Sequence, residues 1–138
     1  MKKLFLDTNI WLRFILKDEE KQYSYVYNLL SQIEEGIFRV YISNIVLLEI
    51  YFVLLQLYKI SQKDVLLYIS NILKVRGITL IEKTNSIKAI QYCTKYNIKF
   101  ADCLIASQIS NEMLLVTYDD EFKKIREIKC ITPDKILD

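Results

Sequence analysis

The sequence predicts an α/β fold, a three-layer α/β/α sandwich with a central parallel sheet of about five strands. Short runs rich in β-branched and aromatic residues alternate with segments of helical periodicity along the whole chain. The runs are almost continuously apolar, as strands buried on both faces are. The 138 residues are 52% hydrophobic and contain no repeat or linker-like stretch, so we expect a single domain spanning residues 1–138.

Five runs predict strands because each is too brief for a typical helix, and they cover residues 3–6, 38–42, 78–81, 113–117 and 128–131. The segments between them predict helices over residues 10–16, 21–35, 44–58, 61–75, 86–96 and 101–111. Strands joined through helices usually pair in parallel by right-handed crossovers. Ligands of such sheets bind beyond the carboxyl ends of the strands, so residues that follow strands are the first candidates for function.

The absence of histidine limits the chemistry, because it removes the commonest general base and the commonest transition-metal ligand. A Ser-His triad is therefore excluded. The three cysteines form no CxxC pair and predict small buried residues rather than a zinc or redox site. Two glycines and one proline leave no glycine-rich loop of the kind that binds nucleotide phosphates.

Charge and hydropathy restrict the partners and the location. With a net charge of +2, binding to a polyanion needs a local basic patch. The longest apolar run, residues 45–58, is interrupted by Glu49 and Gln56 and is shorter than the roughly 20 residues that span a bilayer. The odd number of cysteines and the lack of a secretory leader predict a cytoplasmic protein with no membrane segment.

Four acidic residues stand in strongly apolar surroundings, where an ionised carboxylate needs a partner. Asp7 follows LFL, Glu49 interrupts IVLLEIYFVLL, Asp102 lies in FADCLIA, and Asp119 follows MLLVTY. Asp7 and Asp119 come after predicted strands, while Glu49 and Asp102 line or open helices beside the same sheet edge. We therefore expect the four carboxylates to meet in one cleft.

Each of these acids also has a purely structural interpretation. Asp7, Asp102 and Asp119 each precede a predicted helical segment and would serve as helix N-caps. Glu49 would share a thin exposed stripe with Gln56, seven residues later on the same helix. The sequence alone leaves these alternatives open.

A cluster of carboxylates implies a cation, because crowded acids repel one another and oppose folding unless they are neutralised. With oxygen ligands and neither histidine nor a cysteine pair available, Mg²⁺ or Mn²⁺ fits better than zinc or copper. Such ions activate water and stabilise a phosphate under attack. The sequence therefore predicts phosphodiester hydrolysis, with the same four residues as catalytic and metal-binding groups: Asp7, Glu49, Asp102 and Asp119.

The acid-bearing segments resemble, in order and spacing, those of the PIN-domain nucleases, and within them the VapC-like toxins of bacterial and archaeal toxin–antitoxin pairs. LFLDTNIWLRFIL is similar to the family's opening strand, first acid and helix, with Asn9 at the polar position that steadies the acid. SNIVLLEI resembles the second motif and FADCLIAS the third. LLVTYDDEF resembles the fourth, Thr-x-Asp-x-x-Phe, which fits Thr117, Asp119 and Phe122 and favours Asp119 over Asp120. The closing ITPDKIL is similar to the family's last strand and tail.

The resemblance implies Mg²⁺- or Mn²⁺-dependent RNA cleavage, homodimers and inhibition by a small antitoxin protein. Asn9 and Thr117 would support the acids. Lys123 and Lys124 follow Asp119 closely and could contact RNA phosphates at the cleft rim, although an ordinary solvated face explains them at least as well. Arg13 fits a phosphate contact, an antitoxin contact or a surface ion pair.

Three other functions stay open. A phospho-acceptor receiver domain shares the parallel α/β architecture, but it wants an acceptor Asp after strand three, where Glu82 and Lys83 stand. An RNA-processing PIN nuclease outside a toxin–antitoxin pair would carry the same acids. A non-catalytic PIN-like module would use them as helix caps and would act by binding proteins.

Overall fold

The computed structural model describes residues 1–136, and its elements follow the predicted alternation. They are β1 (Lys2–Leu6), α1 (Thr8–Leu16), α2 (Glu20–Glu34), β2 (Phe38–Ser43), α3 (Asn44–Phe52), α4 (Gln62–Ile72), β3 (Thr79–Ile81), α5 (Ser86–Tyr96), α6 (Phe100–Ala106), β4 (Met113–Val116), β5 (Cys130–Ile131) and α7 (Pro133–Ile136). A π-helical turn, Val53–Leu57, continues α3, and a 3-10 helix, Asp120–Lys124, links β4 to β5. No helix within residues 1–136 has the length and hydropathy to cross a membrane.

The five strands form one sheet in the order β3-β2-β1-β4-β5, and every pair is parallel. The predicted α/β/α fold class is therefore confirmed. β1 lies at the centre, where Leu4, Phe5 and Leu6 are fully buried. The edge strands β3 and β5 have only 3 and 2 residues. The order differs from the 2-1-3-4-5 arrangement of receiver domains, which removes that alternative.

The connections place a crevice at the carboxyl ends of β1 and β4. The chain passes from β1 to β2 and β3 on one side and then returns across the sheet to β4. Right-handed crossovers assign α1–α4 to one face and α5–α6 to the other. The winding direction changes between β1 and β4, which is where open α/β sheets bind ligands. The two strand ends are joined there by the N–H of Asp7, which donates to the carbonyl oxygen of Val116 at 3.0 Å.

Three helices are shorter than predicted, and one of them is α4, predicted over residues 61–75 and observed over Gln62–Ile72. The segment 44–58 is a regular helix only to Phe52; because this run is apolar on every side, its periodicity could not mark the change to a π turn. The segment 101–111 ends at Ala106, where the hydroxyl of Ser107 donates to the carbonyl oxygen of Leu104 at 2.6 Å. Serine bonds of this kind compete with helical hydrogen bonds and favour turns.

The last third of the chain also departs from prediction. The predicted strand 128–131 is reduced to Cys130–Ile131, because Ile125 and Ile128 are buried in a turn instead of alternating across a strand. The 3-10 helix begins after Asp119, where the N-cap interpretation expected a helical segment, whereas the sequence pattern missed α7, which begins with proline as helices often do. The end of the predicted tail, residues 137–138, lies outside the described residues.

Candidate active site

Asp7 ends β1 and begins α1, and its carboxylate is held by three hydrogen bonds. Oδ1 accepts from the backbone N–H of Thr8 at 2.8 Å. Oδ2 accepts from the hydroxyl of Thr117 at 2.8 Å and from Nδ2 of Asn9 at 3.1 Å. The side chain is only 4% exposed. Its position is thus fixed by the protein itself.

Thr117, directly after β4, connects Asp7 to the fourth acid-bearing segment. Its hydroxyl donates to Asp7 and accepts from Nδ2 of Asn9 at 3.2 Å and from the N–H of Asp119 at 2.9 Å. A hydroxyl has one proton and two lone pairs, so all its hydrogen-bonding capacity is used. Asn9 completes the network by accepting from the N–H of Tyr118 at 3.0 Å. The structure therefore places Asn9 and Thr117 beside the first acid.

Glu49 lies half-buried on α3 and points toward the start of α1. Its Oε1 accepts a hydrogen bond from the hydroxyl of Thr8 at 3.0 Å. The backbone N–H of Thr8 meanwhile binds Asp7, so one residue contacts two of the four acids. Thr8 was not identified from the sequence, although its position next to Asp7 could have suggested it. The contact depends on how α1 and α3 pack, which no local pattern shows.

Asp102 and Asp119 reach the cleft from two further segments. Asp102 is the third residue of α6 and is 8% exposed, and no hydrogen bond from another part of residues 1–136 reaches its carboxylate. Asp119 precedes the 3-10 helix and accepts from the N–H of Glu121 at 2.9 Å. The N-cap interpretation thus describes Asp7 and Asp119, whose side chains do cap helices. It is wrong for Asp102, because Lys99 occupies the N-cap position of α6.

The acids raise one another's pKa. Burial first, and then the charges of Glu49 and Asp102, raise the pKa of Asp7 to about 7, against the hydrogen bonds from Thr117 and Thr8. Burial, Glu49 and Asp119 raise the pKa of Asp102 to about 6. Burial and the charge of Asp119 also raise the pKa of Glu49. The charges of the four carboxylates therefore act on one another, and the pKa is raised furthest toward neutral pH for Asp7 and Asp102.

The donors in this cleft are carboxylate oxygens, which suit a hard divalent cation. Among residues 1–136, no group of three or more aspartate, glutamate or cysteine side chains is placed to hold a metal ion by itself. Mg²⁺ commonly uses one or two carboxylates, with water and substrate phosphate as its other ligands. The open arrangement and the raised pKa values fit that mode of binding.

The basic residues singled out from the sequence form surface ion pairs. Lys123 lies 3.0 Å from Asp120, and Lys124 lies 2.8 Å from Glu121. Arg13 lies 3.1 Å from Asp18, in agreement with the ion-pair interpretation. The sequence analysis missed Lys99, whose charge acts on Glu49 and Asp102. Its place three residues before Asp102 was the available signal.

Comparison with known proteins agrees with this geometry. The PIN domain family matches residues 4–128, which is most of the chain. The chain is a member of the PIN-domain family. The resemblance drawn from the four motifs is therefore confirmed, and PIN domains as a family are nucleases. No curated protein matches the chain in sequence.

Solved structures share the fold of this PIN domain at low sequence identity. VapBC2 from Rickettsia felis, bound to a DNA fragment from its promoter, is similar with a TM-score of 0.71 and 23% identity, over 94% of this chain and 98% of that one. VapBC-1 from nontypeable Haemophilus influenzae has a TM-score of 0.65 and 15% identity, over 96% and 98%. PAE2754 from Pyrobaculum aerophilum has a TM-score of 0.66 and 12% identity, over 99% and 87%.

Proposed function

We propose that this PIN domain is a metal-dependent endoribonuclease that hydrolyses RNA phosphodiester bonds. The proposal is supported by the mutual charge effects of Asp7, Glu49, Asp102 and Asp119, which raise the pKa of Asp7 to about 7 and that of Asp102 to about 6 together with burial. A buried group of carboxylates opposes folding without a cation, so selection for function is the simplest reason to keep it. We propose that residues 1–138 act as one domain.

We propose Mg²⁺ or Mn²⁺ as the cofactor, held by one or two carboxylates drawn from Asp7, Glu49, Asp102 and Asp119, with water and substrate phosphate as its other ligands. When bound, the ion supplies an activated water and neutralises charge on the phosphate. The chain's own groups prepare the site in advance. Thr117 and Asn9 fix the first acid, and Thr8 orients Glu49. Because these hydrogen bonds already hold the side chains in place, the site does not have to rearrange during the reaction.

We further propose that the chain is the toxin of a toxin–antitoxin pair and is inhibited by a small antitoxin protein. Two of the similar structures are VapBC assemblies. The chain also carries a largely apolar groove of about 660 Å³ between α1, α2 and α4. A concave apolar groove suits the apolar face of a partner helix. Its lining includes Trp11, Phe14, Tyr27, Leu30, Tyr68 and Ile72.

A homodimer is proposed on a second apolar surface. Large apolar side chains are exposed on α3, the π turn and α4, among them Leu48, Phe52, Leu57, Leu66 and Leu67. Leu57 has the largest exposed fraction of these side chains, 73%. Apolar side chains exposed together mark interaction surfaces, and the commonest soluble oligomer is a symmetric dimer that uses the same patch twice. Sedimentation of the purified chain, and of a Leu57→Glu, Leu67→Glu variant, tests this assignment.

We propose that Lys123 and Lys124 contact RNA phosphates and that the protein acts in the cytoplasm. Lys123 and Lys124 lie on the 3-10 helix after Asp119, and surface ion pairs such as theirs are weak enough to exchange for phosphate. A cytoplasmic location is consistent with free thiols at Cys93, Cys103 and Cys130.

The deciding experiment is cleavage of a labelled structured RNA by the purified, partner-free chain. We expect cleavage with Mg²⁺ or Mn²⁺, none with EDTA, and a loss of at least about 100-fold in Asp7→Asn. Asp64→Asn, an exposed position on α4, is the matched control and should keep wild-type activity. Unchanged cleavage in Asp7→Asn, or a chain that neither cleaves nor gains stability from Mn²⁺, would favour the non-catalytic module instead.

A further inference from the structure

Lys99 lies at the start of the helix that carries Asp102. It is the N-cap residue of α6, and Asp102 is the third residue of that helix. The Lys99 side chain is exposed and makes no capping hydrogen bond. Lys99 is therefore an exposed cation within one helical turn of Asp102.

The charge of Lys99 reaches two acids on different elements. It lowers the pKa values of both Glu49 and Asp102, against the larger effects of burial. The two acids are neighbours because α3 packs against α6. Lys99 thus begins the helix that carries Asp102, and that helix packs against the helix that carries Glu49.

Lys99 also differs from the other lysines near the site. Lys123 and Lys124 are each paired with an acid three residues earlier on the same 3-10 helix. Within the part of the chain that the structure describes, Lys99 has no carboxylate within ion-pair distance. A phosphate that approaches Lys99 therefore has no existing ion pair to displace.

We propose that Lys99 binds a backbone phosphate of the RNA strand at the cleft and sets the affinity of the site for its substrate. The inference rests on the proposed nuclease function and adds a substrate-binding residue to it. Four carboxylates repel a polyanion, and the net charge of +2 offers little general attraction. A lysine provides three donors on a compact charge, which suits a phosphate contact that reads no base.

The test separates RNA binding from catalysis. Anisotropy of a labelled single-stranded RNA, titrated in EDTA at several salt concentrations, measures binding without cleavage. We expect Lys99→Met to weaken binding about tenfold and to reduce the slope of log affinity against log salt by about 0.7. Lys99→Arg should keep both values near wild type. Lys2→Met, an exposed lysine at the opposite end of β1, should change neither.

Kinetics then distinguish a binding residue from a structural one. In Mg²⁺, Lys99→Met should raise KM about tenfold and change kcat less than twofold. Unchanged RNA affinity and salt slope, or a lowered kcat at wild-type KM, would overturn the assignment. If Lys99 only neutralises the acids, its removal tightens Mn²⁺ binding and leaves RNA affinity unchanged, which also overturns it. If the wild-type chain fails to cleave RNA, the proposed function is overturned. If wild type and Lys99→Met bind and cleave RNA equally well, only this inference is overturned.

Discussion

The β1–α1 corner and the first turn of α6 present the same chemical group in opposite ways. At the corner, Asp7 is almost completely buried and receives three hydrogen bonds. In α6, Asp102 is also buried, but no hydrogen bond from the described chain reaches its oxygens. The pKa is nevertheless higher for Asp7, about 7, than for Asp102, about 6, because burial outweighs the hydrogen bonds. Asp7 is held in position by the protein before any ligand binds, whereas the carboxylate of Asp102 is left to interact with a ligand.

The largest expected effect is a loss of stability with rising pH in the metal-free protein. Folded-state pKa values above the ordinary value of 3.8 mean that the stability from Asp7 and Asp102 is full below about pH 4. It is lost as the pH rises through about 6 to 7, by several kcal/mol at roughly 1.4 kcal/mol per pKa unit. Thermal unfolding in EDTA should therefore show a falling melting temperature between about pH 5 and pH 8.

Mn²⁺ supplies the control for this prediction. A cation that binds the ionised acids should remove most of the decline, because it stabilises the folded state most where the carboxylates are charged. The chain contains no histidine, so no imidazole titrates in the same range. If the melting temperature of the metal-free protein stayed constant or rose with pH, the pKa values of Asp7 and Asp102 would not be raised in the folded state.

The two acids should respond differently to neutralisation. In EDTA at about pH 8, Asp102→Asn should raise the free energy of unfolding by about 2 kcal/mol, since it removes a buried charge and breaks no protein hydrogen bond. Asp7→Asn should gain less, because its amide nitrogen cannot accept the bonds that the carboxylate accepts. Denaturant unfolding of both variants, with Asp64→Asn as the control, measures the difference. A larger gain for Asp7→Asn would reverse the comparison.

The threonine that supports Asp7 gives a smaller effect. Thr117→Val leaves the N–H of Asp119 without an acceptor and removes one of three donors to Asp7 and one of two acceptors for Nδ2 of Asn9, for a stability loss of about 1–2 kcal/mol. The bond from Thr117 lowers the pKa of Asp7, so its loss should move the acidic limb of the pH–rate profile to higher pH. Thr117→Ser restores the hydroxyl and should restore the profile. A profile that does not move would show that the bond fixes geometry alone.

The same contrast explains what could be predicted from sequence. Asp7 follows a short apolar run, and both its position after a strand and its capping of a helix are local properties. Asp102 is different: a helix start that shifts by a few residues changes it from an N-cap to the third residue, and no pattern in KFADCL marks the true start. The position of Lys99 at the N-cap of α6 likewise depends on where this helix starts.

Contacts between distant segments set the limit. The bond between Thr8 and Glu49 joins residues 41 positions apart and depends on the packing of α1 against α3. The reduction of β5 has a similar cause, because apolar residues such as Ile125 and Ile128 are buried equally well in a turn or a strand. Composition and motif order predicted the sheet and the four acids, and packing decided which neighbours hold them.

The smallest expected effect comes from removing the hydroxyl of Thr8. Thr8→Val keeps the β-branched shape and the backbone N–H that binds Asp7, so only the bond to Glu49 is lost. We expect a stability loss of about 0.5–1 kcal/mol and a Mn²⁺ affinity a few-fold weaker. Calorimetric titration of Mn²⁺ into wild type, Thr8→Val and Thr8→Ser measures this, with the serine variant near wild type. If Thr8→Val lowered the free energy of unfolding as much as Thr117→Val does, the hydrogen bond to Glu49 could not account for the loss. The substitution would then also have disturbed the hydrogen bonds around Asp7.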